Sequence, residues 1–467
     1  LGRPLKSVRF GVVWGGALTC LMAAALATAQ TRLPEGYATF TPNQTRQLGL
    51  EAIRMGRPDL AARIASDLLA IDQTDSFAHF LMAHALMRLD RADMAEEAAK
   101  EAFRQSKSPE ESYQSAHLVA DLAHRRGALT TAQWWLRKSA EVVPDQARKN
   151  RTIAEFRAVK ARNPWRIKLG FSLRPSDNVN NGSSGQFNII DGLPFVGALS
   201  QDAQAVKGVV GDAAVSLGYR LAQSDTAETT LGLDLSLRHV RLDGAEKARL
   251  GGDPGFGSNR VAVSLRQDWQ KGGSPHRFSV EGTIGRQSYR AGRGYGFAGF
   301  SFGHRMPLAA MTVLDSALDV EQRSKQGKRG DRSFAIRSTV IHQRDNADLV
   351  SITALANRFD TEAVGRSGTT FGLQLGYTLA KPVGPVGVGA TLGLQKSHYN
   401  GYTLASFVVP GGRSDTTGFA EVQLQFNEIS YAGFAPQLRL RHQRTQSNVS
   451  RFEANETSVV LGLASKF

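Results

Sequence analysis

Two glycine-spaced stretches and four histidines are where this sequence comes nearest to familiar chemistry. Gly294-Tyr295-Gly296-Phe297-Ala298-Gly299 has the G-x-G-x-x-G spacing with which a strand, a tight turn and a helix N-terminus cradle a pyrophosphate. It runs on into Phe300-Ser301-Phe302, an alternating strand, where that fingerprint requires a helix. Gly299-Phe300-Ser301-Phe302-Gly303 has the G-x-S-x-G spacing of a nucleophile elbow, which requires a sharp strand-to-helix turn. Ser301 instead sits mid-strand. His79, His84, His117 and His124 fall in helical text without the H-E-x-x-H spacing that sets two imidazoles on one metal. They read as surface or packed histidines. The only cysteine, Cys20, lies in the N-terminal apolar segment, so a processed chain has no disulfide and no thiolate metal site. No catalytic set, no metal site and no cofactor is expected.

The elements that carry these residues belong to an exported protein. Arg3, Lys6 and Arg9 precede an apolar run from Phe10 to Leu26 that closes on Ala27-Thr28-Ala29. A basic head, a short apolar segment and an A-x-A end predict a cleaved secretory signal over 1–29. The 467 residues suggest two or three domains. With 21% charged and 41% hydrophobic residues the chain is neither a disordered tail nor a multi-pass helical membrane protein, and 47 glycines against 16 prolines favour turns and strands. Removing the three cations of the signal leaves 54 Lys and Arg against 42 Asp and Glu, a surplus of +12. Such a surplus suits anionic lipid or an acidic client. A secreted chain without a nucleic-acid motif gives no reason to expect nucleic acid.

Residues 30–162 read as a helical domain. From Thr41 onward the text is rich in Ala, Leu, Glu and Arg, with apolar residues three or four apart. Gly49, Gly56 and Ala61 recur as Ala83, Asp90 and Ala95 after 34 residues, and as Ala120, Gly127 and Ala132 after a further 37. Leu68, Ala102 and Ser139 follow in register. Small residues at a 34-residue period are the tetratricopeptide pattern, predicting repeats at 43–73, 77–107 and 111–144, with the three extra residues assigned to a loop. A helix from Asp145 to Arg162 caps the series, made basic by Arg148, Lys149, Arg151, Arg157, Lys160 and Arg162. Stacked helix pairs offer a concave surface to another polypeptide; the alternative is a plain helical spacer.

At Asn163-Pro164 the pattern changes to period two. Trp165-Arg166-Ile167-Lys168-Leu169-Gly170-Phe171 alternates without a slip, and fourteen such segments follow one another from 165–175 to 456–467. Each runs to about ten residues, enough to cross a bilayer at barrel tilt and longer than a soluble sandwich strand. Long links at 176–207, 242–258, 397–416 and 444–455 alternate with short ones around Ser224-Asp225, at 271–275 and at Asn427 to Ala432. The fold class expected is therefore a helical repeat domain followed, over 163–467, by a fourteen-stranded antiparallel transmembrane β-barrel. Lipid requires the apolar set to face outward. Arg166, Lys168, Arg174, Arg238, Arg260, Arg266, Arg439 and Arg441, with Asp234, then line the lumen. Those cations either bind a client or merely pair across a filled interior.

The two halves together resemble a known family, the surface lipoprotein assembly modifiers or Slam proteins, which join a tetratricopeptide-like domain to a fourteen-stranded outer-membrane barrel. The marks are Asn163-Pro164-Trp165 leading to Asp177-Asn178-Val179-Asn180, and towards the end Arg413-Ser414-Asp415, Gly433-Phe434-Ala435-Pro436 and Ser447-Asn448. Gly462, Leu463 and the terminal Phe467 are similar to a barrel-insertion signal, with Ser465 standing where a further apolar residue is usual. The resemblance implies a Gram-negative outer-membrane protein, with its helical domain in the periplasm, that helps client lipoproteins or related small secreted proteins reach the surface. Expected partners are the client, the barrel-assembly machinery and outer-membrane lipid. A second function stays open, a channel or porin for polysaccharide or small-solute export with a tetratricopeptide docking domain.

Overall fold

The structure is a computed structural model that describes residues 8–11, 37–191, 196–290, 292, 294–325, 328–362, 366–404 and 407–465. The signal expected over 1–29 lies outside the described residues apart from Val8–Gly11, which pairs antiparallel with Tyr37–Phe40. Phe467 lies outside them as well. The chain divides into two compact units, Leu1–Asn163 and Pro164–Phe467.

The first unit is built of helix pairs. Helices α1 (Pro42–Arg54) and α2 (Pro58–Ile71), α3 (Ser76–Arg88) and α4 (Ala92–Arg104), and α5 (Pro109–Arg125) and α6 (Leu129–Val142) are followed by α7 (Gln146–Arg162). The first helix of each pair, and α7, starts on a side-chain cap: Thr41, Asp75, Ser108 and Asp145 each accept a backbone N–H of the first turn. Each cap contributes about 1 kcal/mol. The second helices lack such caps and are entered through a turn residue with positive φ: Gly56, Asp90 and Gly127 at 69°, 59° and 76°. Asp90 thus takes a conformation that costs a side-chain-bearing residue more than glycine. The small residues that set the period are the ones buried. Ala61, Ala95 and Ala132 have no exposed surface, and Leu68, Ala102 and Ser139 are buried beside them.

One detail of the repeat differs from the sequence reading. The three extra residues are not in a loop; they lengthen α5, which has 17 residues where α1 and α3 have 13. About one turn added to a helix returns the following residues to nearly the same face, so the buried stripe survives the insertion.

The second unit is a closed antiparallel barrel of fourteen strands in sequence order. They are β1 (Trp165–Ser176), β2 (Gly208–Gln223), β3 (Ala227–Arg241), β4 (Ser258–Gln270), β5 (Arg277–Tyr289), β6 (Tyr295–Ala309) and β7 (Thr312–Lys325). Then follow β8 (Lys328–Gln343), β9 (Leu349–Asp360), β10 (Gly368–Thr378), β11 (Val386–Tyr399), β12 (Arg413–Phe426), β13 (Phe434–Ser447) and β14 (Ala454–Ser465). At 11 to 16 residues they are longer than the ten or so needed to cross the apolar layer, because hydrogen bonding continues past it. Alternating large apolar side chains point away from the barrel: Leu169, Ile284 and Leu394 are 63%, 66% and 60% exposed. The start of β1 and the end of β14 lie at the same rim, that of the short turns.

The closure between β1 and β14 is the thinnest part of the wall. Its registered pairs are Ser176 with Ser458, Leu173 with Leu461 and Ser172 with Gly462. Elsewhere neighbouring strands pair over most of their length, as β1 does with β2 from Trp165 to Ser176. Pro175 contributes to this, since it has no N–H to donate to the ladder.

Candidate functional site

The inward face of the barrel is set by alternation. Residues between the exposed Leu, Val, Ile and Phe of each strand point the other way, and the eight basic residues singled out from sequence all occupy such positions. Five of them are ion-paired along the wall. Arg166 pairs with Glu228, and Arg174 with Glu456 across the closure. Arg260 reaches Glu321 at 3.4 Å, Arg266 reaches Asp268 at 2.9 Å and Glu281 at 3.3 Å, and Arg441 reaches Glu421 at 3.5 Å. For Lys168, Arg238 and Arg439 no acidic partner stands within ion-pair distance among the described residues, and the buried Nε of Arg439 donates to nothing. Asp234 accepts from the Ser216 hydroxyl on the next strand.

Two of the arginines are held by a device that recurs. The ring of Phe297 lies over Gly285 on the neighbouring strand, and the Arg260 guanidinium stacks on that ring at 3.7 Å. Phe419 lies over Gly393 in the same way, with Arg441 stacked at 3.8 Å. A Cβ at either glycine would collide with the ring, so glycine lets the aromatic lie flat and offer its face to the cation. By contrast β9, β10 and β11 turn only uncharged residues inward, among them Thr353, Gly372, Gln374 and Gln395. The lumen wall is therefore charged on one arc and neutral on another.

Three of the sequence marks, Asp177–Asn180, Arg413–Asp415 and Ser447-Asn448, converge on the outer rim, whereas Asn163–Trp165 and Gly433–Pro436 open β1 and β13 at the rim of short turns. The Arg413 guanidinium forms an ion pair with Asp415 at 2.7 Å and stacks on Phe452 at 3.5 Å and Tyr399 at 3.7 Å. Ser447 donates to Asp415, the Ser414 N–H donates to Asn448, and Asn448 donates to the Gly412 carbonyl. The β1–β2 connection lies against the β13–β14 connection: Ser184 N–H donates to the Glu453 carbonyl and Asp191 N–H to the Asn448 carbonyl. Ile190, Tyr402, Val409 and Val449 bury a small core there. Asp177 accepts from the Thr457 N–H, and Ser176 donates to Glu456, so the closure is tied at its outer end. Sequence reading marked these residues without a role; their clustering depends on partners up to 280 positions apart.

In the helical unit the first helices of the pairs also touch one another, α1 on α3 and α3 on α5, and so share one side. His84 on α3 packs edge-on to Phe80 at 4.6 Å, and burial, with Arg88 nearby, holds its imidazole pKa below the usual value. A cleft of about 320 Å³ opens among α5, α6 and α7, lined by His117, Asp121, His124, Leu136, Glu155 and Val159. His117 and Glu155 meet at 2.7 Å, while the buried Nδ1 of His124 has no partner. His79 contacts the Gln73 carbonyl at 2.9 Å. Among the described residues no group of three His, Cys, Asp or Glu side chains is disposed to hold a metal ion.

With this geometry in place, comparison with known proteins decides the barrel. The family model for the surface lipoprotein assembly modifier matches residues 258–467, from the first residue of β4 to the end of the chain. From β4 onward the barrel is similar to that family. No curated protein matches the chain. Among solved structures, the type III secretion translocator chaperone SycD of Yersinia enterocolitica is similar at 17% identity over 26% of this chain and 85% of that one, with a TM-score of 0.24. PcrH, in complex with the chaperone binding region of PopD, is similar at 20% identity over 26% and 91%, with a TM-score of 0.24. The first tetratricopeptide domain of human RPAP3 is similar at 15% identity over 25% and 91%, with a TM-score of 0.23. The closed barrel and its likeness to that family indicate an outer-membrane protein and support, broadly, a role in surface lipoprotein assembly.

Proposed function

We propose that this protein helps specific client proteins, surface lipoproteins or related small secreted proteins, to cross the outer membrane to the cell surface. The family match over β4–β14 is the observation that carries this reading. The helical unit, placed in the periplasm, receives the client. Both ends of the barrel sequence lie at the rim of short turns, and that rim faces the periplasm in outer-membrane barrels. The barrel then supplies the route or the platform for delivery. Lys168, Arg238 and Arg439, without ion-pair partners, attract acidic segments of the client, while Arg166, Arg174, Arg260, Arg266 and Arg441 are held by the wall. The barrel-assembly machinery reads the C-terminal signal formed by Gly462, Leu463 and Phe467. Neither unit contributes catalytic chemistry.

The test is surface labelling of a lipoprotein encoded beside this gene, in cells with and without it, and with the barrel alone. Loss of the client from the surface at unchanged total client supports delivery, and barrel without repeats should insert yet deliver poorly. An unchanged surface fraction together with altered polysaccharide or small-solute efflux would replace delivery with a channel.

A further inference from the structure

The lipid-facing surface of the barrel is electrically one-sided. Among the described residues, six Arg or Lys side chains stand on its outward positions: Arg241, Arg286, Arg332, Arg358, Lys396 and Arg444. Each lies within five residues of the strand end that leads into the connections β1–β2, β3–β4 and so on, the outer rim. The one outward acid, Asp360, is itself bound by Arg358 at 3.3 Å. At the opposite rim the outward positions hold aromatic residues instead, with Trp165 against Tyr219 at 4.8 Å and Trp269 stacked on Phe278 at 5.6 Å. Desolvated cations beside hydrocarbon are costly, so six of them at one rim and none at the other require a counter-charge that only one leaflet supplies.

At one place the belt becomes a cavity. An open groove of about 790 Å³ lies at the outer end of the closure. Pro175, Val209 and Val459, outward residues of β1, β2 and β14, form its apolar floor. Three exposed cations stand around it: Lys207 just before β2, Arg241 at the end of β3, and Lys247 on the short helix α8 (Gly244–Arg249) of the β3–β4 connection. The two acids of the groove are already engaged. Asp177 accepts the Thr457 N–H and Asp243 caps α8 by accepting the Glu246 N–H. Lys207, Arg241 and Lys247 make no ion pair among the described residues.

We infer that this groove binds a lipid of the outer leaflet whose head group carries more than one phosphate, as the glycolipid lipid A does. The phosphates sit among Lys207, Arg241 and Lys247, and an acyl chain runs down over Pro175, Val209 and Val459. Three cations converging on one groove match clustered phosphates better than the single charge of a phosphatidylglycerol. The site goes beyond client delivery and does not depend on it. It places a lipid on the strand pair with the fewest registered contacts, where occupancy braces the closure.

The experiment uses the full-length protein, purified in detergent, and diphosphoryl lipid A, monophosphoryl lipid A or phosphatidylglycerol as probes, with bound lipid counted by native mass spectrometry. The intact protein should retain diphosphoryl lipid A preferentially, and added salt should weaken retention. The triple variant K207Q/R241Q/K247Q should retain at least about tenfold less while its unheated band keeps the folded mobility. Val209→Trp, which fills the floor and leaves every charge in place, should lose lipid to a similar extent and guards against a triple variant that fails to fold. Equal retention of phosphatidylglycerol, or wild-type retention by either folded variant, overturns the site.

Discussion

The helical unit and the barrel solve the same problem in opposite directions. In the repeats the residues hidden from solvent are small: Ala61, Ala65, Ala78, Ala95 and Ala99 are wholly buried, letting helices approach closely around a few larger side chains such as Leu81. In the barrel the large apolar residues are the exposed ones, Leu373 and Leu375 among them, and the positions between them carry Gly, Ser, Thr and paired charges. What differs is the medium. Water drives Ala and Leu inward between helices, whereas hydrocarbon accepts Leu on the outside and penalises an unpaired backbone, which only a closed barrel satisfies. The outer rim departs from that division. There the barrel acquires a small interior of its own, with Ile190 and Val449 buried as deeply as any repeat residue and an arginine enclosed by aromatic rings.

That rim is where the comparison breaks most sharply. Arg413 and Asp415 are both nearly enclosed, at 12% and 9% side-chain exposure. Arg413→Ala leaves the carboxylate buried without its partner, and the expected loss is about 3–5 kcal/mol, the cost of breaking a buried pair. It should appear as a lower temperature for conversion of the fast to the slow band on unheated gels. Paired replacement by Arg413→Met with Asp415→Leu should restore most of the loss, because no charge is then left alone.

Next in size is a charge on the lipid face. Leu373→Arg, in the middle of β10 and pointing outward, should destabilise the barrel by about 2–4 kcal/mol in denaturant titrations from lipid vesicles. Gln374→Arg, its immediate neighbour, points into the lumen and should change stability by less than about 0.5 kcal/mol. If both cost the same, the assignment of faces is wrong. If neither does, that strand does not meet hydrocarbon.

The strands were legible because their signal is local. Segments expected at 208–222, 259–270 and 386–396 appear as β2, β4 and β11 within a few residues, since period two is written in every pair of neighbours. The repeat was legible for the same reason at a longer period, through Gly56, Asp90 and Gly127. The added turn in α5 was not, because a 37-residue spacing says how many residues are inserted and not whether they are coiled. The lumen residues could be assigned to a face, but not their pairing: nothing in the sequence around Arg166 points to Glu228, or around Arg260 to Glu321. The Gly285–Phe297 and Gly393–Phe419 stacks need the strand register, which alternation alone leaves free to slip by two. The rim cluster and the lipid groove join connections from opposite ends of the barrel sequence, so no local pattern announces them.

The smallest effect tests the helical unit on its own terms, through the protonation of a packed residue. His84 sits half-buried on α3 beside Phe80, and its pKa is lowered by burial and then by Arg88, with Asp121 offsetting in part. A folded-state pKa below the unfolded value near 6.5 means that the unfolded chain binds the proton more readily. Stability from this residue is therefore fully present above about pH 6.5 and is lost as the pH falls from there through the folded pKa. A piece spanning the helices, residues 37–163, should melt cooperatively by circular dichroism, and its melting temperature should fall by a few degrees between pH 7.5 and pH 5. His84→Gln should remove part of that fall while leaving the value at pH 7.5 nearly unchanged. A pH dependence that survives His84→Gln undiminished would move the titrating group elsewhere.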